Sequence, residues 1–156
     1  MTMHTSADAT SQSDLDGSIP LGFGGVKAAV GDHIAHFFRG GAQRFSVLGP
    51  YIKTGLQEGD RCVFISQPKV GAALCEWLSE RGLDAADARE ADRLILDPGR
   101  DTTDDMKRLA DRIDASVQET DDSFVRWSGD GAWCLDRDIT VDEMLRWEAL
   151  YDEHSS

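Results

Sequence analysis

A chain of 156 residues with 40% hydrophobic content is long enough to bury the core of one domain and gives no sign of a second. Its formal charge of -13, from 29 acidic against 16 basic residues, sets it against nucleic-acid phosphates and anionic membranes, so no direct nucleic-acid or membrane partner is expected. No apolar run approaches the roughly 20 residues that span a bilayer, and the polar start lacks a signal-peptide pattern, so the expected setting is cytoplasmic.

Residues 1–17 are rich in Ser, Thr, Asp and Ala, and cannot bury enough apolar surface to offset the entropy of ordering. They read as a disordered tail, which Leu21-Gly22-Phe23-Gly24-Gly25 extends as a flexible lead-in to about residue 30. His33-Ile34-Ala35-His36-Phe37-Phe38 is a short apolar run broken by Gly40-Gly41, as a first strand would be. Phe45, Leu48, Ile52 and Leu56 then recur at helical spacing, with Pro50 expected to kink the helix and Gly59-Asp60 to end it. Cys62–Ile65 reads as a second strand stopped by Ser66-Gln67-Pro68, and Val70, Ala73, Leu74, Trp77 and Leu78 mark a helix capped by Gly82. Leu94–Leu96 is a third strand closed by Asp97-Pro98-Gly99, followed by a helix on Met106, Leu109, Ala110, Ile113 and Val117. Phe124–Trp127 is a fourth strand, and Thr140 with Glu143 forms a capping box for a last helix reaching about Tyr151.

Four strand-helix repeats without hairpin signals predict an α/β fold: three layers, with a mainly parallel sheet of four or more strands flanked by helices. In such a fold the ligand crevice lies beyond the C-terminal strand ends, where the loops 39–41, 66–68, 97–100 and 128–133 converge. The last of these, Ser128-Gly129-Asp130-Gly131-Ala132-Trp133, places an acid between two glycines and then an indole, which suits a pocket rim as well as an ordinary turn.

Strand, Gly40-Gly41, helix is the order of a phosphate loop, yet Gln43-Arg44-Phe45 stands where the lysine and hydroxyl residue would hold phosphate and magnesium. ATP hydrolysis by that mechanism is disfavoured, and Arg44 reads as an exposed helix-start arginine or an anion partner. His33 and His36, three apart on a strand, point to opposite faces and cannot chelate one metal. No metal site, cofactor or nucleophile elbow is expected, and Asp130 alone is thin support for an enzyme. Asp104-Asp105 and Asp121-Asp122 read as solvated surface. Cys62, Cys75 and Cys134 form neither a disulfide framework nor a zinc pattern and suit a reducing compartment. Asp outnumbers Glu 21 to 8 and Arg outnumbers Lys 12 to 4, a balance that fits a halophilic source or a high-GC genome.

With these pieces in order, residues 31 to about 153 resemble the MEDS domain, the sensory domain named for methanogen and methylotroph regulators. The resemblance rests on Gly31–Phe38, on Pro50–Asp60 running into Cys62–Ile65, and on Gly129-Asp130-Gly131-Ala132-Trp133. It implies a RecA/KaiC-like fold without a working phosphate loop, which senses small hydrocarbon-type ligands and feeds a signalling kinase or transcription regulator. Domains of the family continue into a further strand, so the resemblance also implies a sheet truncated at its last strand, with an open edge suited to a homodimer. By position, the ligand-binding candidates are His33, His36, Asp130 and Trp133, with Arg126 and Ser66 beside them. The expected function is a non-enzymatic sensory domain. The alternatives are a protein-protein adaptor without a small ligand and a residual nucleotide-binding enzyme with Asp130 as catalytic acid.

Overall fold

The structure, a computed structural model, describes residues 18–99, 102–118, 124–132 and 139–155. The tail at 1–17, Asp121-Asp122, Trp133 and Cys134 therefore lie outside the described residues.

Two short strands, β1 (Ser18–Pro20) and β2 (Lys27–Ala29), pair antiparallel. The lead-in, expected to be a flexible segment, forms this hairpin, and its glycines make the turn. Gly22, Gly24 and Gly25 all hold positive φ, and the Leu21 amide donates to the Val26 carbonyl at 3.0 Å. Leu21 is 2% exposed, so the hairpin is seated on the body of the protein.

The strand expected at His33–Phe38 is absent. That segment carries no regular structure, with Ile34 52% and Phe37 93% exposed. An apolar run becomes a strand only where a neighbouring edge satisfies its backbone, and no described strand pairs with it. Gly40-Gly41 therefore opens a helix directly, and the strand-to-helix order of a phosphate loop is not formed.

That helix, α1 (Gly40–Glu58), runs through Pro50 and buries Gly49, Ile52, Gly55 and Leu56. Gly59 ends it with φ 95, and the Asp60 amide returns to the Gly55 carbonyl at 2.8 Å. Strand β3 (Arg61–Ile65) follows, then α2 (Pro68–Ser79), which starts on proline and closes through Gly82 at φ 78. A short helix, α3 (Ala85–Glu90), has Asp84 as N-cap, accepting from the Ala86 and Asp87 amides. It had no apolar stripe to announce it. Strand β4 (Leu94–Asp97), α4 (Thr103–Gln118), β5 (Val125–Gly129) and α5 (Val141–Ser155) complete the order. The Thr140 hydroxyl accepts from the Glu143 amide at 3.2 Å, half of the expected capping box.

β3 lies between β4 and β5, parallel to both, with Val63 opposite Ile95 and Trp127. Three strands, rather than four or more, form the parallel sheet among the described residues. Alternation along β3 divides the core. Cys62 and Phe64 pack with Ile52, Leu56, Val70, Leu74 and Leu78 of α1 and α2, while Val63 and Ile65 pack with Met106, Leu109 and Trp147 of α4 and α5. Helices thus flank the sheet on both faces. The chain leaves β3 toward α2 and, after β5, reaches α5 on the other face. In open α/β sheets a ligand crevice belongs at such a reversal, beyond the C-terminal ends of the two strands.

Candidate functional site

The first turn of α1 and the ends of β3 and β5 meet at this point. The Asp130 amide donates to the Ile65 carbonyl at 2.8 Å, extending the ladder by one residue and fixing Asp130 at the strand end. Its side chain is 4% exposed, and its Oδ1 accepts from the Ala132 amide at 3.0 Å, so the Gly-Asp-Gly turn is held by its own acid. Asp130 Oδ2 lies 2.9 Å from Arg44 Nε. The two form an ion pair without the alignment of a hydrogen bond, since each of these buried atoms lacks a hydrogen-bond partner.

Arg44 is not the exposed helix-start residue that its position suggested. Its side chain is 21% exposed, and its guanidinium carbon stands 5.1 Å from the centroid of the Phe38 ring. At the start of α1, Gln43 Oε1 accepts from the amide of the N-cap residue Arg39 at 2.7 Å, while no side chain caps the amides of the first turn. Gly40, Gly41 and Gly131 border open space: a Cβ on any of them would meet nothing within 4 Å.

Ser66 is 3% exposed at the end of β3, and its hydroxyl donates to the Gln67 carbonyl at 3.2 Å. Asp97, at the end of β4, is 7% exposed and accepts from the Gly99 amide at 2.8 Å. Strand alternation places it on the α4 side, away from Arg44.

The remaining candidates sit elsewhere. His33 Nε2 is 3.0 Å from Glu148 Oε2 on α5, with both side chains about half exposed. The His36 ring faces Phe38 at 5.6 Å between centroids, so the histidines lie along the segment that leads into α1. Arg126 is 1% exposed, with Nε 2.6 Å from Asp60 Oδ2 and a second nitrogen donating to the Pro20 carbonyl at 2.6 Å. It also lies 5.3 Å from the Tyr51 ring. Its contacts tie β5, the end of α1 and the hairpin together within the protein interior. The structure thus brings Ser66 and Asp130 to adjacent strand ends with Arg44. It sets His33 against Glu148 on α5 and His36 against Phe38, and sinks Arg126 into the core.

Sequence reasoning undervalued Arg44 and missed Asp60 and Tyr51 as partners of Arg126. The one signal for Arg44 was an opposite charge predicted at a converging loop. Around Arg126, burial pushes the Cys62 thiol and the Tyr51 phenol each up to about 12, against the opposing pull of the guanidinium. Neither group is therefore available as a nucleophile or base near neutral pH. Among the described residues no three His, Cys, Asp or Glu side chains are grouped to hold a metal ion. Nor is any described helix long and apolar enough to cross a membrane.

These features define a mixed α/β domain whose parallel strands end at a partly buried ion pair, Arg44–Asp130. The sequence model of the MEDS family, "MEthanogen/methylotroph, DcmR Sensory domain", matches residues 32–156, and the chain belongs to that family. It is a sensory family rather than a catalytic one. No curated protein and no solved structure matches the chain.

Proposed function

We propose that residues 31–153 act as a non-enzymatic sensory domain that takes a small organic, hydrocarbon-type ligand at the ends of β3 and β5. Occupancy is relayed to a signalling kinase or transcription regulator, in keeping with the sensory character of the family. The observation that carries the reading is the Arg44–Asp130 pair. A buried carboxylate at a strand end is matched by an arginine from the facing helix, beside three glycines that leave open space. A charge pair in this position suits recognition better than turnover, because each charge is held by the other rather than kept free for proton transfer. Ser66 and Phe38 complete the lining, with His33, His36 and Trp133 assigned to the approach and rim.

Isothermal titration with a panel of small organic molecules is expected to give saturable heat that is lost in Trp133→Ala and weakened in Arg44→Met/Asp130→Asn. Silence across the panel overturns the reading. It would favour an adaptor that docks its partner through exposed apolar side chains such as Phe37 and Leu145. Magnesium-dependent ATP or GTP turnover above background would point instead to a residual nucleotide enzyme.

A further inference from the structure

Arg44 has more donors than the described residues use. Its Nε faces Asp130, while its two terminal amino groups, four N–H bonds in a rigid fork, meet no acceptor among the described residues. With the side chain 21% exposed and the Phe38 ring 5.1 Å from its guanidinium carbon, these donors are only partly hydrated, and Gly40 and Gly41 in the same turn and Gly131 beside Asp130 each leave open space. Gln43, the nearest side-chain amide in the turn, is already engaged by the Arg39 amide.

Resting on the proposed ligand site, we infer that Arg44 is the ligand's hydrogen-bond donor and that the site selects small uncharged molecules with an apolar body and a carbonyl or hydroxyl oxygen. A plain hydrocarbon would cover the fork and leave its donors without a partner, which costs more than the contact returns. A carboxylate or phosphate satisfies the fork but brings a charge the site cannot balance. Arg44 is already neutralised by Asp130 at 2.9 Å, and the anion would lie close to a carboxylate that is 4% exposed, in a chain of net charge -13. A neutral oxygen accepts from the fork without that repulsion, and Phe38 offers the apolar body a wall.

Acetone, isobutene and acetate share one trigonal frame and differ in the group offered to Arg44, so they serve as probes of the full chain by nitrogen-15 NMR. Amides of Gly40, Gly41, Asp130 and Gly131 report occupancy of the site, and the Arg44 Nε–H reports contact with the fork. Acetone is expected to bind roughly tenfold more tightly than either isobutene or acetate, the difference one hydrogen bond to a charged group makes. In Arg44→Met/Asp130→Asn, which removes both charges together, acetone should fall to the level of isobutene. Should that variant not fold, Arg44→Lys keeps the charge opposite Asp130 without the fork and should lose most of the preference. Equal binding of isobutene and acetone, tighter binding of acetate, or a preference that survives in the variants overturns the inference while leaving the ligand site standing. If none of the probes moves the four amides, the ligand site itself fails and the inference with it.

Discussion

Replacing Arg126 with methionine tests the claim that this residue holds the interior together. The substitution keeps much of the apolar stem but removes the guanidinium that lies 2.6 Å from Asp60 Oδ2 and 2.6 Å from the Pro20 carbonyl. Asp60, 4% exposed, is then left as a buried carboxylate without its cation. Breaking a buried pair from one side costs about 3–5 kcal/mol, because the surviving charge keeps its desolvation penalty and loses its attraction. Against a total stability of about 5–15 kcal/mol, that is a large fraction. With a urea dependence of about 2 kcal/mol per molar, the unfolding midpoint should fall by about 2 M. Adding Asp60→Asn removes the stranded charge, so the double variant should recover a good part of the loss and show a coupling energy of about 2 kcal/mol. Urea melts of the four proteins, followed by tryptophan fluorescence, measure the cycle. A single-variant cost below about 1 kcal/mol, or a coupling energy near zero, would refute the reasoning.

Gly22 at φ 80 packs so closely on the Pro50 carbonyl and Thr54 Oγ1 that a Cβ has no room, so Gly22→Ala should undock the hairpin. Hydrogen exchange should then quicken at Leu21 and Val26 while β3 keeps its protection; unchanged exchange at Leu21 would contradict the packing. Folded Cys62 and Tyr51 hold their protons to about pH 12, whereas the unfolded thiol and phenol release theirs near their ordinary values of 9.0 and 10.0. The unfolded state thus binds fewer protons in that window, and stability, fully present below pH 9, should fall as pH rises toward 12, by about 1.4 kcal/mol per unit for each group. A urea midpoint that is flat from pH 9 to 11 would contradict this. Raising KCl from about 0.1 M to about 1 M should raise the melting temperature by screening the net charge of -13; a lower one would mean that the ion pairs lost outweigh the repulsion relieved.

Much of the fold was legible because it rests on periodicity. The 3.6-residue recurrence of Ile52 and Leu56, and of Val70, Leu74 and Leu78, marks helix faces that the structure buries, and the continuous apolar runs Cys62–Ile65 and Leu94–Leu96 mark strands covered on both sides. Turn chemistry was legible at Gly59 and Gly82 for the same local reason. Apolar content misled at His33–Phe38, where a run that reads as a strand stays irregular for want of a pairing edge. It failed in the other direction at residues 18–29, where two three-residue strands are too short to show a pattern and the glycine turn decides. For α3, one capping aspartate and two buried alanines leave almost no apolar signal.

The sequence by itself determined the α/β class and the parallel order implied by strand-helix alternation, since those follow from patterns near in the chain. Which charges face one another was decided only by tertiary structure. Arg44 and Asp130 are 86 residues apart and Asp60 and Arg126 are 66 apart. Nothing local distinguishes the arginine at the crevice from the one sealed in the core. Burial makes that distinction: a guanidinium without water must find its carboxylate, and the fold determines which carboxylate is within reach.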